Sequence, residues 1–254
     1  MFSIKSQIRT VSLYTLAACL TLGAAAGLGW FSGILPADIT IPTSAGAQNT
    51  IIFVLDPGHG GEDGGAVAEN GTTEKNLNLE IALVMGDIAD LLGYPTALTR
   101  TEDTLLYDRY GDLTDYTGKK KTYDLRNRLR FAEETGGAVF CSIHMNKFPD
   151  ADCRGLQVYY SPNAEQSRSY AALLQSYART FMDPENQRAT KKATSAIYLL
   201  HRMQSPAVLV ECGFLSNPEE CALLNTSAYR LRLASVLTAA LAEGWEADQR
   251  NTET

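Results

Sequence analysis

Positive charge is scarce in this sequence, and the patterns that would mark a nucleotide-binding, disulfide-stapled or cysteine-metal protein are missing. There are 22 basic residues against 29 acidic ones, and Lys5 and Arg9 are the only charges in the first 35 residues. Residues 36–254 therefore hold 20 basic and 29 acidic side chains, a formal −9. Such an acidic body argues against nucleic acid as a partner, because a phosphate backbone is bound through lysine and arginine. The five cysteines form no CxxC pair and have no regular spacing, which excludes a disulfide framework or a cysteine zinc cluster. Cys141, Cys212 and Cys221 lie in apolar segments and read as buried thiols. No G-x-x-x-x-G-K-[ST] occurs, and the glycine-rich stretch "VLDPGHGGEDGGA" fails the dinucleotide fingerprint because its last required glycine falls on Asp63. A compact H-E-x-x-H run, an internal repeat and a low-complexity tract are absent as well.

One long uncharged run is present. Residues 11–35, "VSLYTLAACLTLGAAAGLGWFSGIL", follow Lys5 and Arg9 and predict a membrane-inserting segment with the basic end in the cytoplasm and the body outside. Its length favours an uncleaved anchor over a secretory h-region, while Ala45 and Ala47 in "SAGAQ" offer a competing cleavage site. Either outcome makes the body extracytoplasmic. The organisation expected is a cytoplasmic end and anchor or signal segment over 1–35, a linker over 36–50, a catalytic body over 51–246 and a polar tail over 247–254.

Within the body, strands and helices alternate. "IIFVLD" is a short apolar run ending in the glycine loop. The segment "EKNLNLEIALVMGDIADLLG" carries Leu77, Ile81, Val84, Ile88 and Leu91 at helical spacing, with Gly93 as a stop. "YPTALTR" reads as a strand, residues 102–124 as a long polar surface loop with the basic cluster Lys119–Lys121, and "DLRNRLRFAEE" as a helix. "AVFCSIHMN" and "GLQVYYS" are strands, "AEQSRSYAALLQSYARTF" is a helix, "PAVLVECGF" is the last central strand, and "SAYRLRLASVLTAALAEGW" is a closing helix. The pattern predicts a single α/β domain with a mixed, mostly parallel sheet and helices on both faces.

Ligands of such sheets gather where strands run into loops. His59 follows the first strand, His144 ends "AVFCSIH", Glu211 lies near the end of "AVLVE", and Glu74 begins the first helix. Two imidazoles and a carboxylate can supply three metal ligands and leave a fourth position for water, and glycines around His59 would let the backbone pass close to a metal and a bulky substrate. Spacing alone leaves the bland alternatives open: a structural histidine, or a solvated carboxylate favoured by the helix dipole. Cys212 follows Glu211 on a strand and is expected to face the opposite side. His201 is assigned to the surface. Arg100 closes a strand at the active edge as either a carboxylate receptor or, like Arg128, a structural ion partner.

The ordered blocks "LDPGHGGEDGGA", "TEKNLNLEIA", "LTR", "DLRNRLRFA", "FCSIHMN", "GLQVYYS" and "PAVLVECGFLSNPEE" resemble the zinc-dependent N-acetylmuramoyl-L-alanine amidases of the type 3 family, over roughly residues 51–242. The resemblance implies that His59, Glu74 and His144 bind zinc and that Glu211 is catalytic; Arg100 and Asn146 are the candidates to touch substrate. It implies hydrolysis of the amide between the lactyl group of N-acetylmuramic acid and L-alanine of the peptidoglycan stem. The membrane-type N-terminus, long polar loop and bare catalytic domain are similar to the spore-cortex (CwlD-type) subgroup. Only "KFPDADCR" separates Asn146 from Gly155, too short for the blocking insertion some relatives carry, so control is expected from a protein regulator or from timing of expression. Two alternatives stay open: a silent wall-binding module on the same fold, which would typically lose a ligand or the base, and another zinc wall peptidase, which would release different termini.

Overall fold

The computed structural model describes residues 50–252; the apolar run at 11–35 and the cleavage motif lie outside the described residues. β1 (Phe53–Pro57) is buried at all five positions, as a central strand covered on both faces requires. It is followed by α1 (Glu74–Leu91), β2 (Thr96–Leu98), α2 (Lys120–Thr135), β3 (Val139–Asn146) and β4 (Gln157–Tyr160). Next come α3 (Gln166–Phe181), β5 (Lys191–Lys192), α4 (Tyr198–Arg202), β6 (Ala207–Phe214), α5 (Pro218–Leu224) and α6 (Ser227–Thr252).

The six strands lie in the order β2-β1-β3-β6-β4-β5. Every pairing is parallel except β4 with β6. Alternate residues feed opposite faces. Leu55, Cys141, Ile143, Val208, Val210 and Cys212 pack with α1, α3 and α6, whereas Val54, Phe140, Ala207 and Leu209 pack with Leu125, Leu129 and Ala132 of α2 and Leu199 and Leu200 of α4. This is the expected mixed sheet with helices on both faces, and it puts the C-terminal ends of β1, β3 and β6 side by side.

Three local expectations are corrected. α1 buries Leu77, Ile81, Met85 and Ala89, while Val84 and Ile88 are only partly buried and Leu91 is 83 % exposed. The buried stripe is rotated from the expected one, running through Leu77, Asn78, Ile81, Ala82, Met85 and Ala89, so Leu91 lies off it, and Gly93, at φ 85°, turns the chain immediately after the helix. The polar loop stops sooner than expected, because Lys120 and Lys121 occupy the first turn of α2; that start has no capping side chain or early acid, so the usual signal is missing. Residues 247–252, expected as tail, continue α6. β5, α4 and α5 were too short to carry a period. Among the described residues no helix is long and apolar enough to cross a membrane.

Candidate active site

β1 delivers the chain into a loop whose glycines are dictated by crowding. A Cβ on Gly58 would stand 2.2 Å from the His144 ring, and one on Gly65 would stand 2.5 Å from Glu74 Oε2 and 2.8 Å from His59 Cδ2. His59 itself has a φ of 63°, an uncommon conformation for a residue with a side chain. The backbone there is gripped from below. Arg128 Nη2 donates to the His59 carbonyl at 2.6 Å and Arg128 Nη1 to the Pro57 carbonyl at 2.8 Å.

Three elements converge above this floor. Glu74 opens α1, and its Oε1 lies 2.8 Å from His144 Nδ1 and 3.3 Å from His59 Nε2. Its carboxylate is oriented by backbone donors, with Ala66 N–H on Oε2 at 2.7 Å and Met145 N–H on Oε1 at 3.0 Å. One ligand atom from each of His59, Glu74 and His144 lies within 4.8 Å of the others. Burial pushes the Glu74 carboxyl up, but the hydrogen bonds and charges of His144 and His59 outweigh it and hold the group far below the carboxylate range. Burial lowers His59, and Glu74 and Asp63 more than reverse that, leaving it raised. Two imidazoles and a carboxylate, each with an atom turned to one small volume, form a donor set that suits a divalent zinc-type cation.

Glu211 sits beside this cluster on β6, directly paired with His144 across the β3–β6 ladder. Its Oε2 is buried without a hydrogen-bond partner. Burial is the main influence on it, opposed by His144 and His59 and assisted by Glu74, and the carboxyl is pushed up to about 7. A carboxyl near neutrality beside an imidazole–carboxylate cluster can take and return a proton at physiological pH. Cys212, next along the strand, is buried on the opposite face as expected.

The structure separates the other candidates. Arg100 is 3 % exposed. Its guanidinium donates to the carbonyls of Pro57, Gly58, Lys75 and Glu102, so it braces the glycine loop, and the carboxylate-receptor expectation is corrected because every one of its nitrogens is committed inside the fold. Arg128 is the buried ion partner, pairing with Asp56 and Asp124. Asn146 ends β3, part-buried, with its Oδ1 accepting from Lys147 N–H. His201 is exposed on α4. Asp63, to which the sequence reading assigns no role at the site, stands 3.0 Å from His59 Nδ1. An acid four residues after a histidine inside a glycine loop has no helical or strand period to flag it.

Residues 53–243 match the protein family described as N-acetylmuramoyl-L-alanine amidase. The chain belongs to this family. It is an amidase that hydrolyses the bond between N-acetylmuramic acid and L-alanine in peptidoglycan. Among its relatives, the germination-specific N-acetylmuramoyl-L-alanine amidase of Bacillus subtilis is 34 % identical over 194 residues, covering 76 % of this chain and 79 % of that one. Escherichia coli amidase AmiA is 28 % identical, covering 76 % and 74 %. The CwlD amidase from Clostridioides difficile, solved in complex with the GerS lipoprotein, aligns at a TM-score of 0.72 with 32 % identity, over 78 % of this amidase and 99 % of that chain. Amidase AmiC2 of Nostoc punctiforme aligns at 0.64 with 27 % identity, covering 78 % and 98 %.

Proposed function

We propose that this amidase is a zinc hydrolase that acts outside the cytoplasmic membrane in spore-cortex or cell-wall remodelling, with His59, Glu74 and His144 as metal ligands and Glu211 as general base and acid. The observation that carries the reading is the gathering of three ligand atoms within 4.8 Å beside a carboxyl whose buried oxygen has no partner. The donor set fits zinc, and three protein ligands leave a position open for chemistry. A zinc ion held there supplies Lewis acidity, which polarises the scissile carbonyl and acidifies water. Glu211 Oε2 takes the proton of the attacking water and delivers it to the departing L-alanine nitrogen, so the amide C–N bond breaks as the new C–O bond forms. Asn146, at the end of the strand that carries His144, is the proposed substrate contact. The four-residue set His59, Glu74, His144 and Glu211 is complete, which disfavours a silent module.

The purified full-length chain is expected to hold about one zinc per molecule and to lose activity with a chelator. His59→Ala, Glu74→Ala and His144→Ala should each deplete the metal, measured by elemental analysis after dialysis; full occupancy in all three overturns the ligand assignment. Digested peptidoglycan should acquire L-alanine amino termini, and any other new terminus favours a different wall peptidase.

Location and control are proposals of the same kind. The uncharged run at 11–35 behind Lys5 and Arg9 supports retention at the membrane, which fractionation tests: a soluble exported form beginning at Gln48 would show cleavage. Residues 147–154 form bends and turns with no helix, so restraint is assigned to a partner or to expression timing, and the GerS complex of the CwlD amidase supports the partner. Tight zinc binding and high activity by the isolated chain would remove the partner and leave timing.

A further inference from the structure

The loop between β1 and α1 contains an acid that the reaction does not use. Asp63 Oδ2 stands 3.0 Å from the buried His59 Nδ1, an ion-pair contact whose alignment in the metal-free protein falls short of a hydrogen bond, on the side of the ring away from Nε2, which is the nitrogen 3.3 Å from Glu74. The acid is not loosely hung. Its backbone exchanges both hydrogen bonds with Gly60, at 2.9 and 3.0 Å, and its second carboxylate oxygen accepts from Gly65 N–H at 3.2 Å. The side chain is 23 % exposed, and Lys121 Nζ approaches Oδ2 from solvent at 3.4 Å. His59 needs such a guide, because its φ of 63° leaves the ring on a short, glycine-flanked loop instead of a regular strand.

We propose that Asp63 is a positioning residue that holds His59 in the Nδ1–H tautomer with Nε2 turned to the metal, and that its carboxylate thereby sets zinc affinity. The physical reason is that an imidazole can offer only one nitrogen lone pair when neutral, and an anionic acceptor on Nδ1 decides which one. Partners of this kind on a metal-bound histidine are usually worth about 10-fold to 100-fold in affinity. The inference rests on the proposed zinc site.

Asp63→Asn separates this role from a structural one. Asn preserves the size, but a single amide cannot accept from both Gly65 N–H and His59 Nδ1–H, since one of its two terminal atoms is a donor. Zinc affinity of the full-length chain, measured by chelator competition with the metal alone, should weaken about 10-fold to 100-fold in Asp63→Asn. Thermal unfolding of the metal-free protein should be unchanged, and saturating zinc should restore hydrolysis. Lys121→Ala, which removes only the outer cation, should keep wild-type zinc affinity or exceed it. Wild-type affinity in Asp63→Asn overturns the proposal, as does an equal loss of metal-free stability. Failure of the wild-type chain itself to bind zinc would instead overturn the metal site on which it rests.

Discussion

Glu211→Gln is expected to slow amide hydrolysis by roughly 100-fold to 10,000-fold, the usual worth of a positioned proton-transfer group, while the zinc content stays at the wild-type level. Glutamine fills the same volume and keeps the ladder position opposite His144, but it cannot take a proton from water. The pH profile provides the second readout. A base works ionised, so wild-type activity should fall as pH drops through its pKa. Burial has raised that carboxyl to about 7 in the metal-free protein; a cation at the neighbouring triad favours the ionised form, which moves the acid limb of the zinc-loaded enzyme below 7. Glu211→Gln should lose this limb along with the rate. Unchanged rates, or loss of zinc in this variant, would remove Glu211 from the role of base.

Arg128→Met is expected to destabilise the fold by about 3–5 kcal/mol, because it strands a buried charge. Asp56 is fully buried. Its Oδ1 accepts from Arg128 Nη1 at 2.7 Å and from Thr99 at 2.6 Å, while Oδ2 accepts from Ser142 at 2.6 Å. Arg128 also pairs with Asp124 at 2.8 Å, and Asp124 in turn holds Leu106 N–H at 2.7 Å. The network ties β1, β3, the end of β2, the long loop and α2 together directly beneath His59. Burial works to raise the Asp56 carboxyl, but the Arg128 charge and the three hydrogen bonds outweigh it, and the pKa is lowered from its ordinary 3.8. The sign follows from linkage: a depressed folded pKa contributes stability that is present above about 3.8 and is lost as pH falls through the folded value. Urea midpoints of the wild type should therefore decline below about pH 4. Arg128→Met should be weaker at neutral pH and less sensitive to acid, because the main attraction holding Asp56 ionised is gone. Adding Asp56→Asn to Arg128→Met should recover part of the loss, since the fully buried Asp56 charge is then removed and only Asp124 remains without its cation. Equal midpoints for wild type and Arg128→Met would show that the pair contributes nothing net.

The sequence by itself determined the class of fold and the identity of the chemical groups. Strands and helices are local, and the short apolar runs at 53–57, 139–146 and 207–214 and the apolar spacing of α1 are readable from neighbours alone. His59, Glu74, His144 and Glu211 stood out because each is polar at the edge of an apolar element. The tertiary structure alone decided the strand order, with β6 inserted between β3 and the antiparallel β4, and it alone decided what Arg100, Arg128 and Asp63 do. Arg128 meets Asp56 across 72 positions of sequence, and the Arg100 contacts to Pro57 and Gly58 span 43 and 42. Whether a buried cation faces a carboxylate, a carbonyl or a substrate depends on which distant segments surround it, and no local period carries that information. Leu91 makes the same point for an apolar residue: helical spacing shows which side chains share a face, but only the tertiary packing decides which face is buried, and here it is the one through Ile81, Met85 and Ala89.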